Sequence, residues 1–234
     1  PNLNDLNQIS DNWSWEQIEN ELEIPNKKFN QAYICVDRHA EKNPEKLAMI
    51  WHGANDAIEN YTFQQFREES NKFANAITKV GLQKSDRVFF FTDRIPELYF
   101  ACLGVLKAGG IIAPLFSAFG PEPVAERFNR AEGEYIITTP NLLSKIESIR
   151  SELPSLKAII VISHRSKQNE LGDVLQYHEI MKDESKDFEI VNSDREDWAV
   201  MHFTSGTTGL PKGAAHVHNA LISHYATGKY VLDL

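Results

Sequence analysis

The sequence predicts an α/β fold: a mainly parallel sheet with helices on both faces. Three observations carry this. Apolar strand-like runs and amphipathic helical stretches alternate from Val88 onward, the rhythm of strand–crossover–strand units. Residues 88–91 are apolar at every position, so both faces of that strand are built for burial, as in a parallel sheet covered on each side. A glycine-rich turn directly follows the apolar run 198–203 near the end of the chain, where ligands of such sheets bind, beyond the carboxyl ends of the strands.

The elements follow in order. Residues 1–30 are rich in Asn, Gln and acids, with aromatic anchors at Trp13, Trp15 and Phe29, and read as a peripheral arm. Tyr33, Val36 and Ala40 recur at helical spacing over 32–42. Residues 46–51 and 58–61 read as a hairpin turning through 54–57. Thr62 with Gln65 three residues on forms a capping box, and Tyr61 with Phe66 a hydrophobic staple. Phe66, Phe73, Ile77 and Val80 make that helix's apolar stripe, and Gly81 ends it. After the 88–91 strand, Pro96 starts a helix that stops at Gly109-Gly110. Strands are then predicted at 111–116, 135–139, 158–162 and 198–203, with helices at 122–131, 141–153 and 174–181. The charged stretch 182–197 reads as a solvated linker. Asn219 is placed to cap a last helix over 220–232.

The 234 residues are enough for one substantial core. A net charge of −9 argues against a nucleic-acid surface. No apolar run approaches the length of a membrane span, and the start carries no signal-peptide pattern. Cys35 and Cys102 sit in apolar, helix-like settings and read as reduced core residues, which suits the cytoplasm.

The stretch with the most chemical content is His202-Phe-Thr-Ser-Gly-Thr-Thr-Gly-Leu-Pro-Lys-Gly213. Gly206, Gly209 and Gly213 let the backbone take positive φ and approach a ligand. Successive amides in such a turn can converge on an anion. The hydroxyls of Thr204, Ser205, Thr207 and Thr208 and the ammonium of Lys212 add donors. The composition suits a polyphosphate. It is not a Walker A loop, which needs glycine before the lysine and a hydroxyl residue after it; here Pro211 and Gly213 stand in those places. Proline also pushes Leu210 toward extended geometry, so the loop should join two extended pieces rather than open a helix.

The order of residues 204–213 resembles the phosphate-binding signature of the adenylate-forming enzymes, including its Pro-Lys-Gly ending. Asp86-Arg-Val-Phe-Phe-Phe91, Leu103-Gly-Val-Leu-Lys-Ala-Gly109 and Glu126-Arg-Phe-Asn-Arg-Ala-Glu132 look like the strand–helix–strand core of acyl-CoA synthetases. Pro114-Leu-Phe-Ser-Ala-Phe119 and His216-Val-His218 are most similar to acetyl-CoA synthetases of the shorter bacterial type. The resemblance implies that residues 31–234 are part of the large N-terminal, AMP-binding domain, ending just after the phosphate loop. It also implies ATP, Mg2+ and CoA as reactants or cofactors. A carboxylate attacks the α-phosphorus to give an acyl-adenylate and pyrophosphate, and the CoA thiol then displaces AMP. Thr204, Ser205, Gly206, Thr207, Thr208 and Gly209 would line the β- and γ-phosphates, with Lys212 adding charge at the loop's exit.

The family's adenine-stacking motif with its magnesium-binding acid, its ribose-binding aspartate, its hinge and its catalytic lysine would lie beyond Leu234. The chain therefore reads as a fragment holding no catalytic residue and no metal ligand, inactive alone and prone to self-association through an uncovered surface. The arginine–glycine cluster that longer acetyl-CoA synthetases use for CoA is replaced by Thr139-Pro-Asn-Leu-Leu-Ser-Lys145, which leaves the CoA site unplaced. Other adenylate-forming chemistry, such as a medium-chain acyl-CoA ligase, and a non-catalytic nucleotide-binding module are the competing readings. His216 and His218 lack a third metal ligand nearby and read as packing or a channel wall. Arg87, Arg94, Glu132 and Glu134 read as solvated charges at strand ends.

Overall fold

The computed structural model describes residues 2, 13–24, 29–163, 174–205 and 209–233. Helix α1 (Trp15–Glu21) opens where the Ser14 side chain accepts a hydrogen bond from the Gln17 amide at 3.2 Å, supplying an acceptor that the first helical turn lacks. A π-helical turn, Tyr33–Asp37, runs into α2 (Arg38–Lys42). Ile34, Val36 and Asp37 point inward and Cys35 is exposed. Cys35 is therefore not the core residue its apolar neighbours suggested: the helix is one-sided there, and the thiol falls on its outer side. Cys102 is half-buried, and both thiols are free.

Strands β1 (Leu47–His52) and β2 (Ile58–Thr62) form an antiparallel hairpin of their own. It feeds α3 (Phe63–Val80) through the predicted capping box. The Thr62 hydroxyl accepts from the Gln65 amide at 3.2 Å, and the Gln65 side chain accepts from the Thr62 amide at 2.8 Å. Tyr61 meets Phe66 edge-on, with ring centroids 6.3 Å apart.

The main body then alternates: β3 (Arg87–Phe91), α4 (Pro96–Lys107), β4 (Ile111–Pro114), α5 (Pro121–Arg130), β5 (Tyr135–Thr138), α6 (Pro140–Glu147), β6 (Ala158–Val161), β7 (Leu175–Gln176) and α7 (Tyr177–Met181). It ends with β8 (Trp198–Ser205), β9 (Pro211–Val217) and α8 (Ala220–Tyr230). Among the described residues these strands make one seven-stranded sheet in the order β7-β6-β5-β3-β4-β8-β9. Every neighbouring pair is parallel except β8 and β9.

Four boundaries differ from the sequence expectation. β4 stops at Pro114, because proline has no amide to continue the ladder. The helix expected over 141–153 breaks into α6 and a 3-10 turn, Arg150–Glu152. Residues 175–176 pair with β6 before α7 begins, since an edge pairing satisfies their backbone groups as well as a helical turn would. Asn219 is itself helical (φ −63, ψ −21), and its side chain makes no cap bond.

The central strand β3 shows why the fold closes. Val88 and Phe90 face one core, with Phe73, Ile77, Tyr135 and Ile137. Phe89 and Phe91 face the other, with Phe128, Ile136 and Ile146. Successive strand residues alternate faces, so an unbroken apolar run serves two cores. Gly104 sets the spacing of α3 against α4: a Cβ there would lie 2.8 Å from the Ser70 carbonyl oxygen, closer than such atoms can sit. A smaller third core joins the ends of the described chain, with Ile18, Leu22, Phe29 and Ile34 against Ile222 and Ala226. Arg195 reinforces it by pairing with both Glu19 oxygens at 2.5 Å and lying over the Phe29 ring.

Lys107, at the end of α4, is fully buried. Its ammonium lies 2.9 and 2.8 Å from the two Asp37 oxygens and 2.7 Å from the Asn71 side-chain oxygen, with Arg67 3.6 Å from Asp37. Burial pushes the Asp37 carboxyl up and the Lys107 ammonium down, and each partner offsets the other. The cluster ties the π-helical turn, α3 and α4 together. Lys107→Met leaves Asp37 buried without its main partner, and a cost of about 3–5 kcal/mol is expected. Urea unfolding measures it; a loss below about 1 kcal/mol would show that the pair is dispensable.

Candidate functional site

The predicted phosphate loop sits at the tip of the β8–β9 hairpin. β8 runs parallel to β4 (Ile112 opposite Val200) and antiparallel to β9, so it carries the tip to the edge where β3, β4 and β5 also end. Thr204 stands opposite Lys212, and Ser205 opposite Pro211. The Pro-Lys-Gly ending thus continues as a strand rather than a helix, as the proline predicted. Thr204 and Lys212 are both exposed. Gly209 has φ +84 and no atom within 4 Å of where a Cβ would project, so the constraint there is backbone conformation and not crowding. Gly206, Thr207 and Thr208 lie outside the described residues.

The same edge of the sheet carries a polar floor. The Thr138 hydroxyl donates to the Phe91 carbonyl at 2.8 Å, and the Thr139 hydroxyl donates to Asp93 at 3.2 Å. Lys145 donates to the carbonyls of Ser117 and Phe119 at 3.3 and 2.9 Å, which holds the loop after β4 in place. The sequence did not single out these contacts because each joins segments distant in the chain.

The other charged candidates separate. Arg87 and Glu134 are not solvated: the guanidinium lies 2.8 Å from one carboxylate oxygen, and the Arg87 amide donates to the other at 2.7 Å. This pair closes the amino ends of β3 and β5, at the sheet edge opposite the β8–β9 hairpin tip, and so holds the scaffold. Glu132 and Arg94 are exposed. An open groove of about 470 Å³ runs beside the hairpin, bordered by Arg87, Arg130, Trp198, Phe203 and Lys212.

The two histidines of the His216-Val-His218 stretch have different surroundings, because β9 ends between them. His216 is exposed, with its ring centroid 5.8 Å from that of His202 on β8. Burial, with His216 alongside, lowers the pKa of His202. His218 is buried, and its Nδ1 accepts the Gln31 amide at 3.1 Å. Among the described residues no group of three His, Cys, Asp or Glu side chains converges as a metal site.

A family model described as "AMP-binding enzyme" matches residues 36–233. The chain belongs to this family. It is 40% identical over 208 residues to the acetyl-coenzyme A synthetase of Bacillus subtilis (strain 168), covering 88% of this chain and 36% of that protein. The acetyl-coenzyme A synthetase of Magnetococcus marinus is 31% identical over 219 residues, covering 88% and 34%. The chain therefore spans about a third of the length of the curated relatives it matches. Among solved structures, the Brucella canis acyl-CoA synthetase superposes with a TM-score of 0.85 at 23% identity, over 97% of this chain and 40% of that one. An anthranilate CoA ligase in complex with anthranoyl-AMP gives 0.73 at 24%, over 89% and 38%. These two likenesses establish that the AMP-binding family member folds as the corresponding part of those synthetases does. Among its described residues no helix is long and apolar enough to cross a membrane.

His218 makes stability pH-dependent. Burial lowers its pKa from 6.5 to about 4, partly offset by Asp197. Between those values the unfolded chain takes up a proton that the folded chain refuses, so stability falls as pH drops from about 6.5 to about 4. This group contributes no further loss below that window, and the total is up to roughly 3 kcal/mol. His218→Gln should flatten this component in denaturation curves measured across the window; an unchanged pH slope would refute the assignment.

Proposed function

We propose that this chain is the phosphate-gripping part of an acyl-CoA synthetase that activates a short carboxylate, acetate above all, with ATP. The observation that carries the reading is the placement of the 204–213 signature on a hairpin tip at the carboxyl edge of the parallel sheet. Family membership and the acetyl-coenzyme A synthetase relatives support the choice of reaction and substrate. The described donors fit an anion: Thr204 opposes Lys212 in the open, and Gly209 holds a left-handed backbone with free space before it.

In this reading the backbone amides and hydroxyls of Thr204, Ser205, Gly206, Thr207, Thr208 and Gly209 grip the β- and γ-phosphates, and Lys212 adds positive charge. A carboxylate oxygen attacks the α-phosphorus while the bond to the bridging oxygen breaks, and pyrophosphate leaves with the electron pair. Donors fixed around that leaving group stabilise the charge it gains, and holding the triphosphate extended aligns the in-line attack. CoA sulfur then attacks the acyl carbon and AMP departs. Mg2+ would arrive with ATP and would spread the negative charge of the triphosphate. No residue of this chain is assigned to the ion or to CoA. The protein would work in the cytoplasm, where free thiols such as Cys35 and Cys102 persist.

Two measurements test the reading. In the full-length protein, Thr207→Ala with Thr208→Ala should lower acetate-dependent ATP–pyrophosphate exchange about 100-fold or more without lowering the melting temperature. Unaltered exchange would remove the loop from the mechanism. The 234-residue chain alone spans about a third of its relatives and should show no exchange above background; measurable turnover would place the catalytic groups within it. Exposed Trp198 and Leu210 are the surface through which isolated chains would associate, which sedimentation velocity reads directly.

A further inference from the structure

The two faces of the β8–β9 hairpin carry different chemistry. Met201 and Phe203 turn toward the core that holds Phe128. Side chains alternate along a strand, and residues paired across an antiparallel ladder share a face. Val200, His202 and Thr204 therefore lie on the opposite side, together with Lys212, Ala214 and His216. Val200 packs there with Ala32 and Leu106, whereas His202 and His216 are exposed.

The ladder brings these two histidines together. His216 stands opposite Val200 and His202 opposite Ala214, so the imidazoles sit on a diagonal that aromatic side chains can span. Their ring centroids are 5.8 Å apart, with the planes at 77°. Ala214 is small and exposed, which leaves the space beside the rings open. Among the described residues neither imidazole takes part in a hydrogen bond or an ion pair.

A single exposed histidine would carry no inference; the spacing of two does. A metal ion 2.0–2.1 Å from one nitrogen of each ring leaves the ring centroids roughly 5–6 Å apart, which is the separation here. Partial burial of His202, with His216 beside it, lowers its pKa. The ring is then neutral at neutral pH and keeps the lone pair that a metal needs. Imidazole suits zinc and copper, whereas magnesium takes oxygen ligands, so this pair would not select the ion that accompanies ATP. We propose that His202 and His216 chelate a divalent transition-metal ion such as zinc, with water completing its coordination. The ion would tie β8 to β9 just below the hairpin tip, on the face that also carries Thr204 and Lys212.

The test is isothermal titration of the full-length protein with zinc chloride, in the absence of nucleotide, with magnesium chloride as the control. The unaltered protein should bind one zinc ion that magnesium does not replace. His202→Gln and His216→Gln should each weaken that ion at least tenfold, and the double variant should do no worse than either, because a chelate is lost with its first ligand. In the unaltered protein zinc should also slow amide hydrogen exchange across residues 198–205 and 211–217. Equal zinc binding in all variants, small additive losses of the kind two separate histidines would give, or exchange unaffected by zinc would overturn the proposal. These readouts are metal binding and strand opening, not acyl activation, so their failure leaves the proposed reaction standing, and the reverse also holds.

Discussion

The structure depends on a parallel backbone ladder buried on both faces. Parallel neighbours need a crossover between them, and the crossover helices cover the sheet on each side. β3 lies at the centre, pairing with β4 on one side and β5 on the other, and its four buried residues serve two cores at once. Because the strands run the same way, their carboxyl ends share one edge. Any loop delivered by β8 must therefore emerge at the edge where the loops that follow β3, β4 and β5 also emerge, which is how a hairpin far along the chain comes to share that edge with residues such as Thr139 and Asp93.

Around that ladder the polar groups divide by task. Lys107 with Asp37 and Arg87 with Glu134 are ion pairs that join separate elements, and both lie away from the hairpin tip. At the tip the described polar side chains, Thr204 and Lys212, are exposed and held by no other side chain among those described. The scaffold charges are neutralised by partners, whereas the side chains at the hairpin tip are left open. The same reasoning distinguishes His218, whose ring nitrogen is used by the Gln31 amide, from His216 in the open two residues earlier.

Much of this was legible in local patterns. The Thr62 capping box, the Tyr61–Phe66 staple and the two-sided strand of residues 88–91 each involve residues close in sequence, whose preferences act wherever the segment lies. The extended exit of residues 211–213 was legible for the same reason, since Pro211 constrains its neighbours directly. Cys35, Arg87 and Glu134 were misjudged because their burial depends on partners elsewhere in the chain. Lys107 gave a faint signal, a lone cation in the apolar end of a helix, but its partner Asp37 lies 70 positions away.

By itself the sequence determined the alternation of elements, the helix start at Thr62 and end at Gly81, and the extended exit after Pro211, because these follow from backbone conformation and side-chain periodicity over a few residues. Only the tertiary structure decided the strand order, the antiparallel turn of β9, which charges are paired and where the loop stands relative to the sheet. Those are properties of long-range backbone pairing and shared burial, and no short stretch of chain contains both partners.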